Sequence, residues 1–391
     1  MTDKELEKIG KIIESCHINF LIGSGASRDY LDTLWNIEQL LTSLDNELES
    51  EEKKLLEASI KESYFKKCIF GNIGILHNKF VHRSKKKEYN KTYENYQKLI
   101  DSLNTILLKR KTNLLNKQVN LFTTNMDIFL DFVLDKSNVE YNDGFSGKFE
   151  SYFASSNYKK TIYKNSQQYD IQSELPLFNL FKLHGSLTWR YKDIDKNLIV
   201  YDSKLTSLLK LNKIKFEESE LVLIEANKSF VDLKKEAKSL FSDIELSDGL
   251  NKHEAFLSEY DNLIMINPNK EKFASTTLKL NYYEQFRMYS NSLEKENSVL
   301  FVSGFSFADE HIRDITLRVA NVNPTLIIYV FCFNEAEKNK IQDYFKGLQF
   351  NNVICLQDYT FTDMITKVFG SIASNLDDKF YNLKTESKPI N

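Results

Sequence analysis

The chain has 391 residues, 42% hydrophobic and 27% charged, with a formal net charge of −3. That composition allows a large buried core and excludes a protein whose overall charge is built to coat nucleic acid or a membrane surface. Its four cysteines, Cys16, Cys68, Cys332 and Cys355, stand far apart, so no Cys-x-x-Cys zinc or redox motif is present. The amino terminus is polar and the longest apolar run, Leu326 to Phe333, is too short to cross a bilayer. A soluble, cytoplasmic protein is expected.

Leu6, Ile9, Ile12 and Ile13 share one side of a helix over Glu5 to Cys16. Ile18 to Ile22 is an apolar run that stops at Gly23, the pattern of a strand feeding a small-residue loop. Helix formers dominate from Trp35 to Gln118. Ile37, Leu40, Leu41 and Leu44 recur at helical spacing, as do Leu99, Ile100, Leu103, Ile106 and Leu107, with a break at Gly71 to Gly74. Residues 36–118 therefore read as a helical subdomain inserted between two strands of one sheet. Val119 to Thr123 is the next strand and Ile128 to Leu134 a helix. The polar stretch Asp135 to Leu175 predicts loops and short hairpins. Phe178 to Leu183 reads as a strand, Leu198–Tyr201 and Leu221–Ile224 as two more, and Lys228 to Asn251 as helical, so 135–260 is taken as loop, hairpin and helical insertions.

The remainder alternates cleanly: helix Leu280 to Glu294, strand Ser298 to Ser303, helix Asp309 to Val319, strand Leu326 to Phe333, helix Glu335 to Lys346, strand Val353 to Leu356. Strands alternating with helices predict an α/β fold with a Rossmann-like parallel sheet covered by helices on both faces. It spans residues 1–375 and leaves 376–391 as a tail.

Four polar turns follow four of the strands. They are Gly23-Ser24-Gly25-Ala26-Ser27, Thr123-Thr124-Asn125-Met126-Asp127, Lys182-Leu183-His184-Gly185-Ser186 and Ser303-Gly304-Phe305-Ser306-Phe307-Ala308-Asp309-Glu310-His311. Ligands of open α/β sheets bind outside the carboxyl ends of the strands, so these turns point at one crevice. Glycines there permit tight turns and close approach to a phosphate. Each motif also has a plainer reading. Asn favours strand-end turns, Asp309 suits a helix cap, and a small Gly-Ser loop is common after a strand. Lys85-Lys86-Lys87, beside His82 and Arg83, reads as a solvated helix end, and Phe301, Phe305 and Phe307 as core around the crevice.

In this order the motifs resemble the sirtuin superfamily. The Gly23–Ser27 loop resembles its Gly-Ala-Gly-x-Ser loop, Thr124 to Asp127 its Thr-Gln-Asn-x-Asp motif, and His184-Gly185 its His-Gly pair. More narrowly, Leu300 to Ile312 resembles the adenosine-side loop of zinc-free, sirtuin-like proteins of bacterial antiphage defence. Ile266-Asn267-Pro268, Lys272-Phe273, Tyr282-Tyr283 and Phe286-Arg287 resemble the same group. The four-cysteine zinc module of protein deacetylases is absent. Asp29-Tyr30-Leu31-Asp32-Thr33-Leu34-Trp35 replaces their Gly-Ile-Pro-x-Phe-Arg segment, so neither Asp29 nor Asp32 takes a role from the family.

The resemblance implies NAD⁺ as substrate, no zinc, and hydrolysis of the nicotinamide–ribose bond to nicotinamide and ADP-ribose. Asn125 would fix the ribose and a water, and His184 would act as general base, a task suited to an imidazole. Gly23, Ser24, Gly25, Ala26 and Ser27 would hold the pyrophosphate. Thr124, Asp127, Gly185 and Ser186 would line the site, with Gly304, Ser306, Phe307 and Asp309 along the adenosine half. The resemblance also implies a homo-oligomer, a HerA-like ATPase partner with any nucleic acid contacted through it, no membrane, and NAD⁺ depletion as antiphage defence. A deacylase or ADP-ribosyltransferase, or a non-catalytic NAD⁺-binding or ADP-ribose-binding subunit, is the alternative.

Overall fold

Alternating apolar strands and amphipathic helices build one seven-stranded parallel sheet in the computed structural model. The structure describes residues 2–33, 37–47, 50–77, 80, 83–110, 114–168, 170–225, 228–245, 250–266 and 280–376. In chain order the strands are β1 (His17–Ile22), β2 (Gln118–Thr123), β3 (Glu140–Asn142), β4 (Phe145–Ser146), β5 (Tyr152–Phe153), β6 (Tyr163–Asn165), β7 (Gln172–Glu174), β8 (Leu177–Lys182), β9 (Trp189–Asp193), β10 (Leu198–Tyr201), β11 (Ser298–Ser303), β12 (Ile327–Phe331) and β13 (Val353–Leu356). The large sheet runs β13–β12–β11–β1–β2–β8–β3, every pair parallel. Its central strands are sandwiched by helices, and accordingly every residue of β8 and β11 is buried.

From β1 the chain moves outward through β2 to β8, then returns to lay β11 on the other side of β1. The direction of winding therefore reverses between β1 and β11, and the crevice of such a sheet opens outside the carboxyl ends at that reversal. Register aligns these ends. Ile22 is level with Thr123 and Ser303, Thr123 with Lys182, and Ser303 with Phe331.

One face carries α1 (Asp3–Ser15) and the helices between β1 and β2: α2 (Ile37–Asp45), α3 (Glu51–Tyr64), α4 (Gly71–His77) and α5 (Arg83–Lys109). It also carries α6 (Phe129–Lys136) and the carboxyl-terminal turns around Met364 to Phe369. After β10 come α7 (Thr206–Leu211), α8 (Phe230–Glu245) and α9 (Asn251–Asp261). The opposite face packs α10 (Leu280–Glu294), α11 (Glu310–Val322) and α12 (Glu335–Tyr344) around Tyr289, Leu293, Val319 and Ile341. Among the described residues no helix is long and apolar enough to cross a membrane.

Two buried polar devices tie these layers together. At the carboxyl end of α1 the Arg110 guanidinium donates to the carbonyls of Ile13, Glu14 and Cys16, satisfying helix-end acceptors that would otherwise be orphaned, and also to the Asn116 carbonyl before β2. Across the sheet, Asn19, Asn120 and Asn179 sit level on β1, β2 and β8. Asn120 donates to Asn19 at 2.8 Å and Asn179 to Asn120 at 3.1 Å. Such a ladder pins register, because slipping one strand would leave carboxamides unpaired in the core.

The structure corrects several expectations. Leu221 to Ile224 is not a strand. It runs extended beside α3, where the Val222 amide donates to Ser59 Oγ at 3.0 Å. The break expected at Gly71 to Gly74 falls earlier, in a π-helical turn over Phe65 to Ile69. The polar 135–175 stretch supplies not only hairpins but β3, an edge strand of the main sheet. The two sets of inserted helices meet in one layer, with Lys61 paired to Asp261 and Lys54 to Glu254. Leu34, Trp35, His82, the segment from Asn267 through Lys272 and Phe273, and residues 377–391 lie outside the described residues.

Candidate active site

Because the strands end at one level, the four sequence motifs emerge side by side. After β1, Gly23 begins a short 3₁₀ turn over Ser24 to Ala26. After β11, Gly304 turns with φ +67° and packs directly on that loop. A Cβ on Gly304 would sit 2.5 Å from the Ala26 amide nitrogen, and one on Gly25 would sit 2.7 Å from Gly304 Cα. Glycine is required here because two backbones touch. The Gly25 amide donates to the Gly304 carbonyl at 3.0 Å, while Gly23, Ala26 and Ser27 amides donate to the carbonyls of Ser303, Gly23 and Ser24. The loop's amides are thus largely committed to the protein. What it offers the crevice is the exposed Ser24, with Ser306 exposed on the facing turn.

Asn125 follows β2. Its backbone amide donates to Thr123 Oγ1 and its Nδ2 to the Gly23 carbonyl at 3.1 Å, which locks the β2 turn to the β1 loop. The carboxamide oxygen is buried and takes part in no aligned hydrogen bond among the described residues, with the Tyr96 hydroxyl, bonded to Ser27, beside the carboxamide. A buried acceptor left in this way is uncommon and marks a place for a donor from elsewhere. Thr124 is partly exposed next to it.

His184 follows β8 at the corresponding position. Thr123 and Lys182 are a register pair, so Asn125 and His184 each stand two residues beyond one rung. The next residue, Gly185, has φ +82°, and a Cβ there would meet the Ile264 carbonyl at 2.2 Å. His184 Nε2 lies 3.0 Å from Asp309 Oδ2, with both side chains less than one-fifth exposed. Asp309 caps α11, its other oxygen accepting from the Ile312 amide at 3.1 Å. Burial alone would raise the Asp309 carboxyl. The contact with His184, the Ile312 amide and the nearby His311 outweigh it and hold the group below the usual carboxylate range. Asp309 thus caps α11 and contacts His184 at the same time.

Other expected site residues turn inward. Ser27 Oγ donates to Asp127 Oδ2 at 2.8 Å and, its proton so used, accepts from the Tyr96 hydroxyl at 2.9 Å. Asp127 is buried, which raises its carboxyl against the opposing pull of Lys182, the Phe129 amide and Ser27. Ser186 Oγ contacts Thr188 Oγ1, which in turn donates to Asp131. The Phe307 ring is fully buried between Phe305 and Phe345. Ser27, Asp127, Ser186 and Phe307 thus lie buried beneath the strand ends, while Ser24 and Ser306 are exposed there, Thr124, His184, Gly304 and Asp309 partly exposed, and Asn125 buried beside them.

Several further residues here carried no role in the sequence reading. Lys182 ends the wholly buried β8, with Nζ 2.6 Å from Asp131 Oδ2 and bonded to the Asp127 carbonyl. Its signal was a lysine at the end of an apolar run. Asp143, beyond β3, is pushed up to about 6, chiefly by burial and further by Asp131. At the rim beyond β12 the exposed Arg28 guanidinium lies 5.5 Å from the centre of the Phe333 ring. Among the described residues no three His, Cys, Asp or Glu side chains gather as metal ligands.

The fold and the site define an α/β protein with a Rossmann-like sheet and an Asn–His crevice at its topological switch point. No model of a known protein family matches the chain, and no curated protein matches its sequence.

Proposed function

We propose that this protein is a sirtuin-like NAD⁺ hydrolase. The observation that carries the reading is the pairing, on adjacent strand ends, of a buried, unpartnered carboxamide oxygen on Asn125 with a half-buried imidazole on His184. A dinucleotide lying across the switch point would have its pyrophosphate near Ser24 and Ser306. Its nicotinamide ribose would lie toward Asn125 and His184. Arg28 adds a cation at the rim.

The chemistry asked of these residues is modest in number. The bond between the ribose C1′ and the pyridinium nitrogen breaks, its electron pair neutralising the ring as nicotinamide leaves. A water oxygen bonds to C1′ and its proton passes to His184, giving ADP-ribose. Asn125 would orient the ribose and that water through its carboxamide. Positioned acid–base groups of this kind contribute on the order of 10²–10⁴-fold in rate. Water is the acceptor in this reading because the chain lacks the cysteine module of peptide deacetylases. A homo-oligomer and a HerA-like ATPase partner, restraining NAD⁺ depletion until infection, belong to the same proposal.

Incubation of the purified chain with NAD⁺ in heavy-oxygen water, alone and with a neighbouring ATPase, tests it. Free ADP-ribose carrying one heavy oxygen is expected. ADP-ribose attached to protein, or released with acyl groups, would point to a transferase or deacylase. NAD⁺ bound but intact in every assembly would make the chain a regulatory subunit.

A further inference from the structure

We infer that Asp309 is the positioning residue of His184, and that its carboxylate holds the imidazole in the tautomer protonated at Nε2. The family resemblance sets Asp309 along the adenosine half of the ligand; in the fold its side chain faces His184. One oxygen accepts from the Ile312 amide at 3.1 Å, and the other stands 3.0 Å from His184 Nε2. The contact is a close approach whose ring N–H is not aligned as a hydrogen bond. A carboxylate can only accept, so a hydrogen bond closing across it puts the proton on Nε2 and leaves Nδ1 as the nitrogen to take one.

The geometry is built rather than incidental. Asp309 is fixed at the amino end of α11 by its own capping bond. The turn that delivers it is held at both ends: Gly304 packs on the β1 loop, and Arg313 Nη1 donates to the Phe307 carbonyl at 3.2 Å. Phe307 itself has φ +56° with its ring buried, a left-handed conformation that a bulky residue adopts only when its surroundings impose it. On the other side, Gly185 clamps the His184 backbone against Ile264, and the Ile266 amide donates to the His184 carbonyl at 2.8 Å. Among the described residues, His311 on α11 and the Phe286 ring on α10 face the pair, the latter 6.5 Å from the imidazole centre. A buried carboxylate behind an imidazole fixes which nitrogen works as base, and losing it leaves the ring in the wrong tautomer.

The kinetic part of this inference rests on the hydrolase reading, whereas the tautomer part does not. Asp309→Ser and Asp309→Asn both keep a good cap for α11, so helix stability alone would leave them unaffected. Nitrogen NMR of the imidazoles at alkaline pH, assigned with His184→Gln, reads the tautomer directly. The wild-type chain should show His184 protonated at Nε2, and both variants a shift toward Nδ1 protonation. In NAD⁺ hydrolysis the variants should lose on the order of 10²-fold in kcat with KM little changed, and Asp309→Glu should recover part of it. Wild-type His184 protonated at Nδ1 would overturn the inference, as would variants with wild-type tautomer and rate. If the wild type turns over no NAD⁺, the NMR result still decides the pair, and only the hydrolase reading falls.

Discussion

Replacing Lys182 by methionine keeps an apolar stem out to Cε and removes the ammonium group. The wild-type ammonium lies 2.6 Å from Asp131 Oδ2, with the two side chains 4% and 7% exposed. It also donates to the Asp127 carbonyl. The variant therefore leaves a buried carboxylate whose remaining described partner is the Thr188 hydroxyl at 3.3 Å, together with an unpaired carbonyl. Removing one member of a buried pair costs about 3–5 kcal/mol, against a total stability of about 5–15 kcal/mol for ordinary domains. Removing both charges, in Lys182→Met with Asp131→Asn, should return most of that loss. The carboxamide still accepts from Thr188, so about 1–2 kcal/mol should remain. Equilibrium urea unfolding followed through the buried Trp189, which stands beside Thr188, measures each step. A single variant within about 1 kcal/mol of wild type, or a double variant no more stable than the single, would refute the reasoning.

Arg110→Ala should unfasten α1, since four carbonyl acceptors lose a charged donor. The expected cost is about 2–4 kcal/mol, seen first as faster amide exchange in Ile9 to Cys16, and unchanged exchange there would contradict it. His253 Nε2 lies 2.8 Å from the Glu220 carbonyl, and burial holds its pKa below the ordinary imidazole value. The unfolded chain then binds a proton, at about pH 6.5 and below, that the fold resists. Its contribution is full above that pH and is lost as pH falls toward the folded value. Thermal unfolding at about pH 8 and about pH 5.5 should show a smaller acid loss in His253→Gln than in wild type, and equal losses would exclude this ring as a cause. His17, also depressed by burial, contributes in the same direction.

The sheet was legible because its strands are long apolar runs whose period and punctuation need no tertiary context. Leu221 to Ile224 shows the limit of that signal. Val222 and Ile224 are buried and Leu223 is 65% exposed, the alternation of a half-buried strand, yet the segment lies against a helix and pairs with no strand among the described residues. β3 was missed for the opposite reason. Glu140-Tyr141-Asn142 is polar and only three residues long, and becomes a strand by annealing to the edge of β8. The site's outline was readable because strand ends collect ligands, but side-chain direction was not. Ser27 and Ser186 are small polar residues in the right turns, and both spend their hydroxyls on buried partners. Asp309 carried a cap signal, and its partner His184 arrives only when β8 and β11 are folded into the same sheet edge.

Nicotinamide release from NAD⁺ by purified wild-type protein, beside Asn125→Ala and His184→Ala, tests the central claim most directly. The account predicts release by the wild type, alone or with the proposed HerA-like ATPase, and a loss on the order of 10²-fold or more in each variant, with the fold intact. Release that continues undiminished in both variants, or no release in any assembly, would contradict it.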